Sequence, residues 1–234
     1  MTGQMHADDA QTGLRLHNVS VRLDGRLLLA IDCHIRPGSV LTLMGESGSG
    51  KSSLLDFIAG HLRPDFKAEG RIVLDGEDLT ARPAQERHIG LMFQSPLLFP
   101  HMSVLQNLAF AIPASVKGRL LRREMAEQAL LDVGLAGFGA RDPITLSGGQ
   151  QTRVALMRTL LAEPRALLLD EPFSSLDQSR RAGMRKLVFR LAKAKELPVL
   201  LVTHDREDAD AAGGMIHWLG RDDPGNGCTD KAQP

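Results

Sequence analysis

A chain of 234 residues can bury a substantial core, as one large domain or two small ones. Lys plus Arg and Asp plus Glu are equal at 28 each, so no net charge draws the protein to nucleic acid or to an anionic bilayer. Cys33 and Cys228 lie far apart and share no ligand-like spacing with the eight histidines, which leaves no zinc or disulfide framework and fits reduced thiols in a cytosolic protein.

In chain order, residues 1–13 read as a loose tail, polar and acidic where a signal peptide is basic and then apolar. The alternation from Leu14 to Leu23 predicts a half-exposed strand; Asp24-Gly25 is a hairpin turn signal, and the strand returns from Leu27 to Ile35. Pro37-Gly38 turns the chain into the apolar run Val40 to Met44. Next come GESGSGKSS, Gly45 to Ser53, and a helix-like stretch, Leu54 to Gly60. Strands are expected at Arg71 to Leu74, before Asp75-Gly76, and from His88 to Phe93, ending at Gln94.

From Ser95 to about Ala162 the periodicity is helical with proline and glycine breaks, and Ser103 to Gln106 has the form of a capping box. The block reads as a helical insertion into an α/β core. That core resumes at Ala166 to Leu169 and again at Pro198 to Val202, the continuous apolar runs that strands covered on both faces of a parallel sheet require. Between them Met184, Leu187, Val188, Leu191 and Ala192 form one helical stripe, as on a crossover helix. The polar, glycine-rich segment after Gly220 is expected to fray. No uninterrupted apolar run approaches membrane-spanning length, so any span is expected on another chain.

Two stretches carry chemistry. In the first, a strand feeds a glycine loop that opens a helix, the setting in which backbone N–H groups converge on phosphate. Gly45, Gly48 and Gly50 are expected to adopt dihedrals closed to residues with a Cβ, with Glu46, Ser47, Ser49 and Ser53 completing the binding loop. Lys51 would reach the β- and γ-phosphates as a point charge, and the Ser52 hydroxyl would be an oxygen ligand for Mg²⁺. The second is Leu146-Ser147-Gly148-Gly149-Gln150. Ser147 and Gln150 fit a capping box, yet each glycine disfavours the helix by about 1 kcal/mol relative to alanine. The pair is expected where something approaches the backbone closely, at a second anion site suited to a γ-phosphate.

GESGSGKSS, Gln94, LSGGQ, Leu167-Leu168-Leu169-Asp170-Glu171-Pro172, Ser175-Leu176-Asp177 and His204, in that order, resemble the nucleotide-binding subunit of ABC transporters over about residues 14 to 218. The resemblance implies a P-loop NTPase (RecA-like) α/β core at 14–94 and 163–220, an antiparallel β subdomain, an inserted helical subdomain at 95–162, and tails at 1–13 and 221–234. It implies ATP and Mg²⁺, with Ser52, Gln94 and Asp170 toward the metal, Asp170 through water. Glu171 would orient or deprotonate the attacking water, and His204 would contact the γ-phosphate and steady that water. Gln94 would sense the γ-phosphate. Ser147, Gly148, Gly149 and Gln150 of one copy would complete the ATP site of a second, with Ser175, Leu176 and Asp177 at the dimer contact.

What the resemblance further implies is a peripheral protein on the inner face of the cell membrane, driving a separate permease and, indirectly, served by a substrate-binding protein. Pro96 to Pro100 would receive a short cytoplasmic permease helix. The texture is similar to the compact ATPases of thiamine, iron and polyamine uptake, without the extra C-terminal domain of some importers. An exporter ATPase, or a soluble ABC ATPase acting on DNA or the ribosome, stands as the alternative. One position departs from the family: Leu23 stands where an aromatic residue commonly stacks on adenine, so base affinity and the preference for ATP over GTP are expected to be weaker.

Overall fold

Alternation, shifted once by an irregularity between Leu16 and Val19, makes Leu14–Leu23 (β1) an inner strand: Leu14, Leu16, Val19 and Val21 are fully buried while the residues between them are more exposed. It pairs antiparallel with Arg26–Ile35 (β2) and with Phe66–Leu74 (β4), and Glu77–Asp78 (β5) closes the edge. Asp24 (φ 49°) and Gly25 (φ 81°) form the tight turn that the sequence signals. The computed structural model describes residues 12–219. Most of the two expected tails, Cys228 and the close of the core at residue 220 lie outside them. Gly13 is within, and its N–H donates to Asp75 Oδ1 at 2.8 Å.

The strand expected at Arg71 to Leu74 is longer, beginning at Phe66. Gly70 hides the first half of the pattern. Its φ is 103°, and a Cβ there would lie 2.6 Å from the Asn18 carbonyl oxygen, at a register shift between β1 and β4.

The second sheet is parallel, in the order Ile89–Met92 (β6), Ala166–Asp170 (β7), Val199–Val202 (β8), Val40–Gly45 (β3) and Met215–Leu219 (β9). Its apolar runs divide by parity. Leu167, Leu169, Val199 and Leu201 join the core beneath the helices. Ala166, Leu168, Leu200 and Val202 join Leu41, Leu43 and the antiparallel sheet. Both faces are covered, which is why these strands read as unbroken hydrophobic runs. Each fully buried leucine contributes about 1.5–3 kcal/mol.

Lys51–Ala59 (α1) packs on the antiparallel side. The buried Arg87 closes its C-terminus, donating to the Phe57 and Ile58 carbonyls at 2.8 and 3.0 Å. Three helices separate β6 from β7: Val104–Ala111 (α2), Arg119–Asp132 (α3) and Gly148–Leu161 (α4). The Ser103–Gln106 capping box opens α2 as expected. Gln178–Ala194 (α5) is the crossover from β7 to β8, its Met184, Val188 and Ala192 stripe buried. Arg206–Ala212 (α6) and β9 follow, elements that the sequence reading did not anticipate. Because the strands run parallel, the segments leaving β3, β6, β7 and β8 emerge along one edge of the sheet.

Candidate nucleotide site

At that edge β3 runs into the glycine loop and α1. Gly48 (φ 82°) and Gly50 (φ 87°) are left-handed, as expected. Gly45 is not, and its reason is packing: a Cβ there would lie 3.0 Å from the Leu219 carbonyl oxygen of β9. Gly50 is the N-cap of α1 and brings no side chain, so none occupies the first N–H groups of the helix. The buried Lys51 Nζ donates to the Gly45 and Glu46 carbonyls at 2.8 and 2.6 Å and to Ser49 Oγ at 3.1 Å. Burial lowers its pKa, against the opposing charges of Glu171 and Asp170. The loop bounds a cavity of about 290 Å³ whose other walls are Glu171 and the apolar trio Leu23, Leu28 and Phe66.

Asp170 ends β7 and accepts a hydrogen bond from the Ser52 hydroxyl. Burial raises its pKa; Ser52 opposes that shift and Glu171 adds to it. A carboxylate that burial disfavours, joined to a hydroxyl beside a phosphate loop, is the sparse oxygen set that Mg²⁺ accepts when phosphates and water fill its other positions. Among the described residues no group of three or more His, Cys, Asp and Glu could hold a metal alone. Glu171 has φ 44°, a left-handed conformation that is uncommon for a residue with a side chain. It places the carboxylate in the cavity wall with Oε1 3.1 Å from His204 Nδ1.

His204 is itself held from behind. Thr203 Oγ1 donates to the buried Asp208 Oδ2 at 2.9 Å and accepts from the Asp205 N–H at 3.1 Å. Asp208 in turn accepts from the Arg185 Nε at 2.6 Å. Sequence reading missed this support, since an arginine of α5 and an aspartate of α6 share no local pattern. The strand expected to run to Gln94 stops at Met92, and Gln94 is exposed two residues beyond it.

The second stretch forms its own surface. Ser147 is the N-cap of α4 and its N–H donates to Gln150 Oε1 at 2.9 Å. Ser147 and Gly148 are exposed, beside the Ser175–Asp177 segment whose Asp177 caps α5 through the Arg180 N–H. None of the four signature residues lines the phosphate cavity. Nor does the chain's own packing require the glycines. A Cβ at Gly148 would stand 3.9 Å from the Ser175 oxygen, and one at Gly149 3.6 Å from Leu176 and Arg180, ordinary contacts.

The structure thus brings Lys51, Ser52, Gln94, Asp170, Glu171 and His204 to one sheet edge; Lys51, Ser52 and Glu171 line the cavity, and Gln94, Asp170, His204 and the signature do not. It also supplies an aromatic wall, Phe66, that was not anticipated. The only signal for it is strand register, which pairs Phe66 with Leu23.

Comparison with known proteins shows the family. A family model described as ABC transporter matches residues 28–174. Over 204 residues, 87% of this chain and 94% of the relative, the sequence is 45% identical to the uncharacterized ABC transporter ATP-binding protein YnjD of Escherichia coli K12. It is 44% identical over 189 residues to the thiamine import ATP-binding protein ThiQ of Haemophilus influenzae, covering 81% of this chain and 86% of that one. With the Fe(3+) ions import ATP-binding protein FbpC of Rhizobium etli it shares 45% over 182 residues, 78% of this chain. There the match spans 51% of the relative, about half its length.

Proposed function

Since this chain belongs to the ABC transporter family, as an ATP-binding subunit that hydrolyses ATP, we propose that it is the motor of a bacterial importer, two copies closing head to tail on ATP to drive a separate membrane permease. The observation that carries the reading is the contact of His204 with Glu171, which walls a cavity that Lys51 and Ser52 also line.

In that site the loop N–H groups and the start of α1 receive the phosphates, and Lys51 exchanges loop carbonyls for phosphate oxygens. Ser52 and Asp170 would hold Mg²⁺, which supplies positive charge to the β- and γ-phosphate oxygens. Glu171 takes up the proton of an attacking water or fixes its direction, and an Nδ1–H on His204 keeps that carboxylate in place. No covalent intermediate is needed; positioning and electrostatics carry the rate.

Support for the pairing of copies lies in the signature. Its exposed Ser147 and Gly148 present a helix N-terminus away from the chain's own cavity, with room at Gly148 that this chain does not use. Importer polarity follows the relatives named for thiamine and iron import. No helix among the described residues is long and apolar enough to cross a membrane. This fits peripheral attachment at the inner face, with the span and the substrate-binding protein on other chains.

For the permease contact, Pro96 to Pro100 is the surface we favour. Leu97 is 57% exposed with φ 46°. Arg158 of α4 holds it there, donating to the Leu97 and Pro96 carbonyls at 2.9 and 3.3 Å and lying 5.2 Å from the Phe99 ring. The test is purification of the tagged chain from detergent-solubilised membranes. A polytopic permease should be enriched with it, and loss of that partner in Leu97→Asp would place the contact. Enrichment of ribosomes or DNA, in a salt-sensitive manner, would replace this reading with the nucleic-acid one.

A further inference from the structure

We infer that Phe66 is the platform on which the nucleotide base stacks, a proposal that rests on the ATP-binding reading above. The cavity has two chemically distinct ends. One is the loop with its serines and Lys51; the other is Leu23, Leu28 and Phe66, none of which offers a hydrogen-bonding side chain. Gly50 joins the two, because a Cβ there would lie 2.9 Å from Leu28 Cβ. Its absence lets the apolar end abut the phosphate loop. A ligand that fills both ends is anionic at one and flat and apolar-faced at the other, which describes a nucleoside triphosphate.

Strand pairing sets the position of the ring. Phe66 opens β4 and faces Leu23, the last residue of β1, across the antiparallel ladder. Its N–H donates to the Arg63 carbonyl at 3.1 Å, fixing the turn that precedes the strand. The Arg63 guanidinium lies 4.9 Å from the ring centroid, while the half-buried ring also packs on the core. The aromatic absent at Leu23 is therefore supplied by the neighbouring strand, and the loss of base affinity expected from Leu23 is offset. Stacking on Phe66 accepts adenine and guanine alike, since every base has a π-face.

The experiment measures dissociation constants of ATP, GTP and inorganic tripolyphosphate, each with Mg²⁺, for the full chain and for Phe66→Leu, Phe66→Trp and Lys51→Ala. Stacking is worth about 1–3 kcal/mol per base, so Phe66→Leu, which keeps the apolar packing, should weaken ATP and GTP about tenfold. Tripolyphosphate should stay within about twofold, and Phe66→Trp should match or exceed the parent for ATP. ATP binding unchanged in Phe66→Leu, or ATP and tripolyphosphate weakening together, overturns the assignment. Lys51→Ala separates the two readings: it should weaken all three ligands. Were the parent chain to bind none of them, the nucleotide site itself would fall, not Phe66 alone.

Discussion

His204 Nδ1 stands 3.1 Å from Glu171 Oε1, although 33 residues separate them in sequence. The parallel register accounts for it. Asp170 pairs with Val202, so the residues leaving β7 and β8 arrive at the sheet edge together. The Glu171 N–H bonds the Val202 carbonyl at 2.9 Å, which locks the two exits to each other. The left-handed φ of Glu171 is kept by this bond and by the Ser174 N–H and hydroxyl on its carbonyl.

Glu171→Gln should therefore keep its backbone geometry and lose only the base. ATP hydrolysis is expected to fall by about 10²–10⁴-fold, with ATP still bound. Size-exclusion chromatography with Mg²⁺ and ATP should show a stable dimer that the parent chain forms only transiently. Near-parental turnover would remove Glu171 from the water-activating role.

Asp170 gives a prediction of opposite sign for stability and activity. Its pKa is raised by burial. A carboxyl of that kind binds more protons folded than unfolded, so its stabilisation is present at low pH and is lost as pH rises through the raised value. At pH 7 the ionised side chain disfavours the nucleotide-free protein. Asp170→Asn should raise the melting temperature at pH 7, by about 2–4 °C for each kcal/mol recovered, while hydrolysis collapses. The gain should vanish as pH falls to about 4. Calorimetry at the two pH values checks it.

Arg185 should behave as a buried charge partner. It and Asp208 are 8% and 4% exposed, and it also reaches Glu207 and Asp205 at 2.9 and 3.4 Å. Arg185→Ala leaves the Asp208 charge buried and unpaired, at a cost of about 3–5 kcal/mol in urea unfolding. The double variant with Asp208→Ala should recover part of that loss. Full recovery of stability with hydrolysis still impaired would show that the network serves the placement of His204.

Gly148→Val tests the pairing of copies. The intrachain space admits a side chain, so melting temperature and ATP affinity should stay close to the parent. A branched group on the exposed helix start should block a second copy and lower ATPase turnover at least about tenfold. Undiminished turnover that rises with protein concentration would count against the head-to-tail arrangement.

Much of this was legible because local pattern and tertiary role coincide. Leu167 to Leu169 read as a buried strand because both faces are covered, and GESGSGKSS is a loop that few other backbones need. The failures have the reverse cause. β9 is an edge strand of half-buried residues, and α6 buries an aspartate, so neither shows a clean period. Gly45 reads in sequence as a dihedral glycine because its packing partner, Leu219, belongs to that edge strand. Phe66 is hidden in sequence because Gly70 interrupts β4, and only strand pairing reveals which residue lies beside Leu23.

The guanidinium of Arg158 has a mechanical corollary. It sits ten residues along α4 from Gly148, about 15 Å at the rise of an α-helix. The helix is thus a stiff tiller, exposed at Gly148 at one end and fastened at the other to the carbonyls that present Leu97. A tilt of a few degrees at the first end swings the second by an ångström or so, with no slack in between. If two copies pair and a permease docks as proposed, a force applied at Gly148 would travel along this helix to Leu97.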